Sequence, residues 1–469
     1  LTTKLNPQNS SQIFYYNAVK IPIKLRGHNF TMNLSKIQFD KLKGIIDVII
    51  TIIFGPKKID KKRKSILIVE FDPVRYKKIF ENLSDAQLNA MLFNRRRPAI
   101  WNLESFSIIK NSGCSVLTSY LLDDQYVKYN TKKNSKIIHR KVKSIFEFDD
   151  FFEKFFMIYD ISFWEIIKPN FLQLLKNRII DYIREIILAK HLLQKYRFSS
   201  IVVWSEVGIT EQIIIKLAKS FKIPVVLVQH GLFYDSDEAY DMNKFQGVYP
   251  TEIDKYVVWG TLEYDNAKKH GVSHEKIAIL GSPQHDLLIH KKEKIPQSDF
   301  VLIATSGFNK EEVRGLTVSI HQQYIETLKK ICAVISKYQK KAIIKLHPSP
   351  DELDVDELEK TLGEEVKIIK SGNISQLIKS CNMMIMIDLS SVVLDAQLFH
   401  KPVLSIQLKN WWGIPTIFDS EECHSVSLDN LENIFSKTIS DEEFRQTLIN
   451  DGQKFVEKYL SNYGNASEK

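Results

Sequence analysis

The sequence contains little cysteine, and this scarcity excludes two classes of protein. Only four cysteines occur among 469 residues, at positions 114, 332, 381 and 423. None forms a CxxC pair, and no His/Cys cluster has the spacing of zinc ligands. The pattern therefore indicates neither a disulfide framework nor a metal site, and it favours a reducing, cytoplasmic location.

The sequence also lacks an apolar run long enough to cross a membrane. Ile45–Phe54 spans about ten residues and includes Asp47, whereas a membrane-spanning helix needs about twenty apolar residues. A basic cluster follows directly, consisting of Lys57, Lys58, Lys61, Lys62, Arg63 and Lys64. Two interpretations stay open. One is a buried helix followed by a solvated loop, and the other is an apolar patch whose basic flank contacts anionic lipid at the inner face of a membrane.

Motifs for nucleic-acid binding are absent as well. The formal net charge is +9 and charged residues make up 26% of the chain, but no recognised nucleic-acid motif accompanies the basic residues. We therefore expect no nucleic-acid partner. Because the length exceeds what one hydrophobic core usually organises, we expect two domains.

Short β-branched runs alternate with amphipathic helices, and the alternation occurs twice along the chain. The predicted strands of the first series lie at 66–71, 200–204, 225–228, 255–259 and 276–280. Those of the second series lie at 300–304, 341–346, 366–369, 383–387 and 403–406. A helical zone over 146–195, broken near Pro169, falls within the first series. The alternation predicts parallel βαβ units and hence an α/β fold.

The two series define the predicted domains. Two doubly wound, Rossmann-like halves joined by a linker form the GT-B architecture, in which the two domains face a cleft. The polar segment His285–Asp299 is the predicted linker. We expect an acceptor-side domain over 1–290 with an irregular N-terminal extension, a nucleotide-donor domain over 296–440, and a C-terminal helical segment, 441–469, that crosses back to the first domain.

Polar residues directly after the strands of the second series are candidate ligand contacts, because open α/β sheets bind ligands beyond the carboxyl ends of their strands. His347 ends one strand and can donate to a phosphate oxygen. Ser390 and Ser391 precede a predicted helix, whose free N–H groups suit a phosphate, and Asp395 follows about one turn later. Lys345, Ser306 and Gly307 also stand at strand ends. Strand-end, loop and capping roles are the alternatives.

The first series offers further candidates. His230 stands in Gln229-His230-Gly231, and an imidazole can act as a general base toward a hydroxyl at neutral pH. Glu206 ends another strand and is a second candidate acid or base. Gly281 and Ser282 begin a turn that either contacts the ligand or acts only as a hinge.

Taken in order, these motifs resemble those of one superfamily. The set comprises Val228-Gln229-His230-Gly231, Val258-Trp259-Gly260, Gly281-Ser282-Pro283 with Asp286, Lys345-Leu346-His347-Pro348, and Asp388-Leu389-Ser390-Ser391 with Asp395 and Lys401-Pro402. It resembles the CDP-glycerol glycerophosphotransferases, and also bacterial polysialyltransferases and capsule-polysaccharide transferases. The resemblance covers about Ile201–Ile406. One departure is Leu232-Phe233-Tyr234, which replaces the usual continuation after the His-Gly element.

The resemblance implies a transferase that moves a glycosyl or polyol-phosphate group from a CDP-, CMP- or UDP-linked donor to a hydroxyl acceptor, in surface polysaccharide or glycolipid synthesis. It implies that His347, Ser390 and Ser391 hold the donor phosphate with Asp395 nearby, and that His230 is the acceptor base. No cofactor or metal is expected. Two alternatives remain: an enzyme like UDP-GlcNAc 2-epimerase on the same fold, and a non-catalytic accessory protein that binds a nucleotide or glycan.

Overall fold

The computed structural model describes most of the chain, in two compact units. The described residues are 18–25, 28–56, 59–95, 98–145, 149–290, 298–306, 317–347, 353, 355–363, 365–370, 374–408, 412–419 and 424–469. The first unit holds the described parts of Leu1–Arg75, Phe80–Leu227 and Glu252–Asp254. The second holds those of Tyr76–Ile79, Val228–Thr251 and Lys255–Lys469. The predicted domain boundaries at 290, 296 and 440 stay predictions.

The secondary structure alternates between strands and helices, as the sequence predicted. The described strands are β1 (Ala18–Leu25), β2 (His28–Ser35), β3 (Ser65–Val69), β4 (Asn89–Phe93), β5 (Ser115–Val116), β6 (Met157–Ile158), β7 (Ile161–Ser162), β8 (Ser200–Val203), β9 (Val225–Val228), β10 (Lys255–Val258), β11 (Ile277–Ile279), β12 (Phe300–Thr305), β13 (Lys341–Lys345), β14 (Lys367–Ile369), β15 (Met383–Ile387) and β16 (Val403–Ile406). The described helices are α1 (Lys36–Phe54), α2 (Lys77–Asn82), α3 (Leu103–Ser112), α4 (Ser119–Leu122), α5 (Gln125–Ile145), α6 (Asp149–Phe155), α7 (Trp164–Lys195), α8 (Ile209–Ser220), α9 (Tyr240–Phe245), α10 (Thr261–Lys269), α11 (Asp286–His290), α12 (Thr317–Lys337), α13 (Val355–Leu362), α14 (Ile374–Ser380), α15 (Val392–Leu398), α16 (Thr416–Asp419), α17 (Leu431–Ser440) and α18 (Glu442–Tyr459).

The larger sheet has seven strands in the order β11-β10-β9-β8-β3-β4-β5. Its interior strand β3 pairs in parallel with β4 on one side and with β8 on the other. The sequence of a parallel strand that is covered on both faces is a continuous apolar run, because side chains on both faces are buried. Leu67, Ile68 and Val69 are accordingly all buried.

The second sheet has five parallel strands in the order β14-β13-β12-β15-β16. Successive side chains of its central strand alternate between two apolar clusters. Val301 and Ile303 belong to one cluster, and Leu302 and Ala304 to the other. This alternation follows from the two-residue period of a strand and requires apolar residues at every position.

The predicted break in the helical zone is wrong. Pro169 lies inside α7, which continues to Lys195, and the chain instead breaks at the short β6–β7 hairpin. Pro169 is near the start of the helix, where it removes a single backbone hydrogen bond and leaves the later turns intact. Part of the predicted linker is also structured, since Asp286–His290 forms α11.

Helix α1 presents its apolar side chains outward. Its exposed aliphatic residues are Leu42, Ile45, Ile46, Ile49, Ile52 and Ile53. The polar Asp47 is buried instead, and its carboxylate accepts a hydrogen bond of 2.6 Å from the Ser119 hydroxyl. The interpretation of this run as a buried helix is therefore wrong for most of its isoleucines, because the buried face holds Asp47 and Ile50.

The C-terminal helix α18 packs on α10, α15 and α17. Its end lies against Gly260, where a Cβ would fall 2.5 Å from the Tyr459 carbonyl oxygen. None of the helices within the described residues is both long and apolar enough to cross a membrane.

Candidate functional site

The order of the five-stranded sheet locates a ligand crevice. From β12 the chain adds β13 and β14 on one side, then returns to add β15 and β16 on the other. At such a reversal the carboxyl ends of the two central strands open a crevice where ligands bind. Ser306 follows β12 and Asp388 follows β15, so both stand at this point.

The ends of β12 and β13 are joined by a hydrogen bond that positions His347. The buried Thr305 hydroxyl oxygen accepts the His347 backbone N–H at 2.8 Å. The next hydroxyl, on Ser306, is buried and has no hydrogen-bond partner among the described residues. A buried hydroxyl without a partner costs about 1–3 kcal/mol, so Ser306 is a position where a ligand oxygen would add stability. Gly307 lies outside the described residues.

The turn after β15 has an unusual backbone. Asp388 has a φ of +58° and is fully buried. Its Oδ1 accepts the Leu408 N–H at 2.8 Å, and its own N–H donates to the Ile406 carbonyl. A left-handed residue other than glycine costs of order 1–3 kcal/mol and is found most often at functional sites. This turn carries Ser390 and Ser391 to the crevice.

The two serines are not used for capping. Ser391 is the N-cap residue of α15, but its side chain makes no capping hydrogen bond, and both serines are partly exposed. Ser391 thus occupies the N-cap position, as the sequence predicted, but its hydroxyl does not make the capping hydrogen bond that was the alternative to a ligand contact. Both serines lie in the turn between β15 and α15, and their contact with a donor stays a prediction.

Lys345 is buried beneath the same edge of the sheet. Its ammonium group donates to the Leu346 carbonyl at 2.8 Å and to the Lys370 carbonyl at 3.0 Å. These bonds join the segments that follow β13 and β14. The lysine thus holds the backbone beside His347, whether or not it also contacts a donor.

A buried histidine links two of the predicted donor contacts. His285 Nδ1 lies 2.6 Å from the Ser282 hydroxyl oxygen, and its Nε2 lies 3.2 Å from Asp395 Oδ1. His285 is 2% exposed, whereas Asp395 is 17% exposed. The arrangement fits a ring whose Nε2–H donates to the carboxylate while Nδ1 accepts from the hydroxyl. Ser282 is also buried, so the pair orients Asp395 and Ser282 does not itself reach solvent.

Gly281 is enclosed by the C-terminal segment. Its φ is +95°, and a Cβ there would lie 2.0 Å from the Ser461 carbonyl oxygen. Nearby, the Asp286 carboxylate accepts the backbone N–H groups of Ala466 at 3.2 Å and Ser467 at 2.7 Å. The turn that begins at Gly281 therefore anchors the end of the chain. A donor contact by Gly281 stays a prediction.

His230 is exposed directly after β9, and its neighbour Gln229 organises the turn. The Gln229 side chain accepts the Trp259 N–H at 2.9 Å and donates to the Gly231 carbonyl at 2.9 Å. It also donates to Glu263 Oε1 at 3.2 Å. The turn that presents His230 is thus fixed by one buried amide.

Glu263 was not predicted as a site residue, although it carries a strongly shifted pKa. Burial raises the pKa of Glu263 to about 8, while the hydrogen bond from Gln229 lowers it. Its Oε2 is buried without a hydrogen-bond partner among the described residues. The carboxyl group is therefore largely protonated at neutral pH. The sequence did not indicate this residue, because a glutamate at the third position of a helix is ordinarily exposed and its burial here depends on the tertiary fold.

The loop after His230 also contacts the segment after β16. Asp235 Oδ1 accepts the Thr416 N–H at 2.8 Å, and the Ser236 hydroxyl donates to the Trp412 carbonyl. Within the second unit, the segment that carries His230 is thereby tied to the five-stranded half.

The seven-stranded sheet has a reversal of its own, between β3 and β8. Glu206 follows β8, is 9% exposed, and accepts the Glu252 backbone N–H at 2.6 Å. Glu70 follows β3 with a φ of +61°, is 1% exposed, and accepts the Arg95 backbone N–H at 2.6 Å. Sequence reasoning selected Glu206 and missed Glu70, because its backbone conformation cannot be read from the strand pattern.

Metal binding has no candidate in the described part of the chain. No group of three or more His, Cys, Asp or Glu side chains there is arranged to hold a metal ion.

Comparisons with known proteins match the fold rather than the sequence. No protein-family model matches the chain, and no curated protein matches it. Among solved structures, Staphylococcus aureus MnaA in a co-structure with UDP has a TM-score of 0.53 at 14% identity, covering 86% of this chain and 94% of that one. UDP-GlcNAc 2-epimerase from Neisseria meningitidis, bound to UDP-GlcNAc, has a TM-score of 0.51 at 15% identity, covering 86% and 97%. A further UDP-N-acetylglucosamine 2-epimerase has a TM-score of 0.51 at 11% identity, covering 87% and 94%.

These similarities confirm the predicted fold class. The chain has an α/β fold of the GT-B type, with two doubly wound, Rossmann-like domains.

Proposed function

We propose that this chain is an enzyme that binds a nucleotide-activated donor at the crevice of the five-stranded sheet. The observation that carries the proposal is the group of hydroxyls at the strand-order reversal, where the buried Ser306 hydroxyl lacks a partner among the described residues and the Ser390 and Ser391 hydroxyls do not cap α15. Two of the similar structures were determined with UDP and with UDP-GlcNAc, which supports a nucleotide-linked substrate.

The proposed reaction is transfer of a glycosyl or polyol-phosphate group to a hydroxyl acceptor, in surface polysaccharide or glycolipid synthesis. His347, Ser390 and Ser391 would contact the donor phosphates, and their donors would offset the charge that develops on the leaving nucleotide. Asp395, oriented by His285, would accept hydrogen bonds from donor hydroxyls. Lys345, Ser306, Gly307 and Gly281 complete the proposed donor site, together with Ser282, which would act through His285 and Asp395.

The acceptor side of the proposal rests on two residues. His230 is exposed and can take a proton from the acceptor hydroxyl, and Glu206 is the second candidate for that role. Glu206 is only 9% exposed, whereas His230 is exposed, and the difference in access favours His230 as the base.

One alternative function is an epimerase that acts on UDP-GlcNAc without an acceptor. The structural neighbours that are UDP-GlcNAc 2-epimerases favour it. Incubation of the chain with UDP-GlcNAc alone distinguishes the two reactions, because an epimerase converts this substrate and a transferase requires an acceptor. A non-catalytic accessory protein, the second alternative, would bind a nucleotide or glycan and turn over neither.

The direct test is a thermal-shift panel of CMP, CDP, UMP, UDP and GDP. Ligand that binds only the native state raises its stability by about 2.7 kcal/mol at a hundredfold excess over the dissociation constant. We expect at least one nucleotide to stabilise the wild type and to lose most of this effect in His347→Ala. His274→Ala, at an exposed histidine of the same unit, is the matched control. Absence of any nucleotide shift would refute the donor site.

A peripheral membrane contact is part of the same proposal. The exposed aliphatic face of α1 precedes Lys61, Lys62 and Lys64, all of which are exposed. Apolar side chains next to basic ones suit an anionic membrane surface, where the first enter the interface and the second meet the lipid headgroups. A cytoplasmic enzyme placed at this surface would meet a lipid-linked or polymeric acceptor.

A further inference from the structure

Helix α5 concentrates the positive charge of the protein. Between Gln125 and Ile145 the sequence contains seven Lys or Arg residues and no Asp or Glu, in a chain whose formal net charge is +9. Four of them, Lys128, Lys132, Lys136 and Arg140, recur at four-residue spacing. Residues with this spacing share one face of a helix, and like charges placed so repel each other. The repeated positive charges therefore weaken the isolated helix, and helix stability does not explain why they are present.

The charged stripe faces a second helix across a groove. Helix α5 packs along α7, and a groove of about 740 Å³ lies between them. Its cationic lining comprises Lys128, Lys132, Lys136, Arg140, Lys176 and Arg184. Cavities of about 300–1,000 Å³ accommodate small-molecule ligands. Surfaces where two helices meet are ordinarily apolar, yet Ile180 is the one aliphatic side chain in this lining.

Most of these cations have no carboxylate partner in the part of the chain that the structure describes. Arg184 pairs with Asp123, the only acidic residue of the lining. Among the described side chains, none forms an ion pair with Lys128, Lys132, Lys136, Arg140 or Lys176. The groove therefore carries an uncompensated positive charge.

The floor of the groove holds polar atoms without partners. Thr131 Oγ, Ser135 Oγ and His139 Nε2 are buried and have no hydrogen-bond partner among the described residues. Ser135 is 8% exposed, and all three residues line the groove. His139 Nδ1 lies 3.1 Å from the Ser135 carbonyl, which can only accept, so this nitrogen carries the proton. Nε2 is left as an acceptor of the neutral ring or a second donor of the protonated ring.

We propose that this groove binds an elongated ligand that carries several phosphate groups. Cations at four-residue spacing repeat about every 6 Å along the helix axis, so they can meet successive anionic groups one by one. The hydroxyls of Thr131 and Ser135 can donate to phosphate oxygens from below. Among its described residues the lining contains no Phe, Tyr or Trp, whereas proteins that hold single-stranded nucleic acid stack bases on such aromatic rings. The site shares no residue with the proposed donor site and does not depend on it.

The test is calorimetric titration of the full chain with inorganic tripolyphosphate, pyrophosphate and orthophosphate. We expect saturable binding that tightens with the number of phosphates. The double variant Lys132→Gln/Lys176→Gln removes one charge from each helix within the groove and should weaken tripolyphosphate binding at least about tenfold. The matched control, Lys133→Gln/Lys190→Gln, removes exposed charges from the same two helices outside the lining and should change it less than about threefold.

A variant that changes no charge distinguishes a site with specific hydrogen bonds from nonspecific attraction of the anion to a positive surface. Ser135→Ala should weaken tripolyphosphate binding several-fold, with an unchanged unfolding temperature as the control for folding. Vesicles of phosphatidylcholine with or without phosphatidic acid then identify the source of the phosphate: displacement of tripolyphosphate only by the phosphatidic-acid vesicles indicates a lipid headgroup, and displacement by neither vesicle indicates a soluble ligand.

Three results would overturn the proposal. The first is the absence of saturable tripolyphosphate binding. The second is equal weakening by the groove pair and the control pair, which would show that net charge alone attracts the anion. The third is tighter binding of a single-stranded oligonucleotide than of polyphosphate with the same charge.

Discussion

His285 joins Ser282 to Asp395, two residues that lie more than a hundred positions apart in the sequence. Both ring nitrogens of the histidine are engaged, and the ring also packs edge-on against Trp259 at a centroid distance of 5.1 Å. The carboxylate of Asp395 is therefore held in one orientation by a group that is itself fixed on three sides.

This link predicts non-additive effects on donor binding. Asp395→Asn should weaken the best-binding nucleotide-linked donor about tenfold, since it removes a charged hydrogen-bond acceptor. His285→Gln should weaken it less, and the double variant should bind no more weakly than Asp395→Asn, because His285 acts through Asp395. Isothermal titration of the four proteins measures this coupling. Strictly additive losses would show that His285 does not act through Asp395.

The two candidate bases predict different kinetic defects. His230→Ala should lower kcat about 10²–10⁴-fold and leave donor affinity unchanged within about twofold, because general-base catalysis acts on the reaction step. Glu206→Gln should lower kcat less, since the amide oxygen can still accept the Glu252 N–H. Steady-state kinetics and donor titration check both. A larger kcat loss in Glu206→Gln would transfer the role of base to Glu206.

Glu263 predicts a pH dependence of stability. Its pKa is raised by burial to about 8, so the native state keeps a proton that the unfolded state releases at lower pH. The stabilising contribution is fully present below the ordinary carboxyl pKa of about 4.3 and is lost as the pH rises through about 8. Glu263→Gln should remove this loss, and its stability relative to wild type should increase between pH 5 and pH 8. Urea unfolding across this range measures the difference, and parallel curves would contradict it.

We expect substitution of Gly281 to lower the free energy of unfolding by more than backbone strain alone would. Gly281→Ala must adopt a φ of +95° and also place its Cβ 2.0 Å from a carbonyl oxygen. Gly271 is the matched control, because its φ is +89° but no atom lies within 4 Å of the Cβ position. Both variants carry the strain, so Gly281→Ala should lose at least about 2 kcal/mol more than Gly271→Ala. Denaturant unfolding gives the comparison, and equal losses would mean that the C-terminal segment moves aside at little cost.

Helix α1 predicts binding to anionic vesicles. Ile45→Asn/Ile52→Asn should weaken binding to phosphatidylserine-containing vesicles at least about tenfold, since each exposed isoleucine loses its apolar burial in the interface. Leu103→Asn, at another exposed aliphatic residue of the same unit, should have little effect. Vesicle co-sedimentation at low and high salt provides the measurement. Equal binding by wild type and the double variant would remove α1 from the membrane contact.

The strands could be predicted closely because buried parallel strands are continuous apolar runs. Met383–Ile387 and Val403–Ile406 were predicted with the boundaries that the structure has. Strand β4, Asn89–Phe93, was missed because its sequence contains no β-branched residue. Helix α5 was missed because its spacing signal lies in charged residues, and the apolar pattern that reveals most helices is weak there.

The residues of the candidate site were selected by their positions in the sequence, but the contacts between them were not predicted. Ser282, His347 and Asp395 were selected because each follows a strand or begins a helix at the binding edge of a sheet. Their partners could not be predicted, because contacts such as His285 with Asp395 depend on the folded chain. The left-handed backbone of Asp388 and the burial of Glu263 are likewise properties of packing that local sequence does not encode.

The anchoring of Ala466 and Ser467 on Asp286 has a consequence for synthesis on the ribosome. Asp286 and the residues that bind it are separated by 180 and 181 positions, and Ser461 also closes over Gly281. Domains generally fold as units while the chain emerges, N-terminal parts first. The turn that begins at Gly281 nevertheless gains its backbone partners only after residues 466 and 467 have been synthesised, and until then water solvates the Asp286 carboxylate. Packing of this part of the second unit thus depends on contacts between residues about 180 positions apart, and it cannot be completed by the Gly281 turn alone.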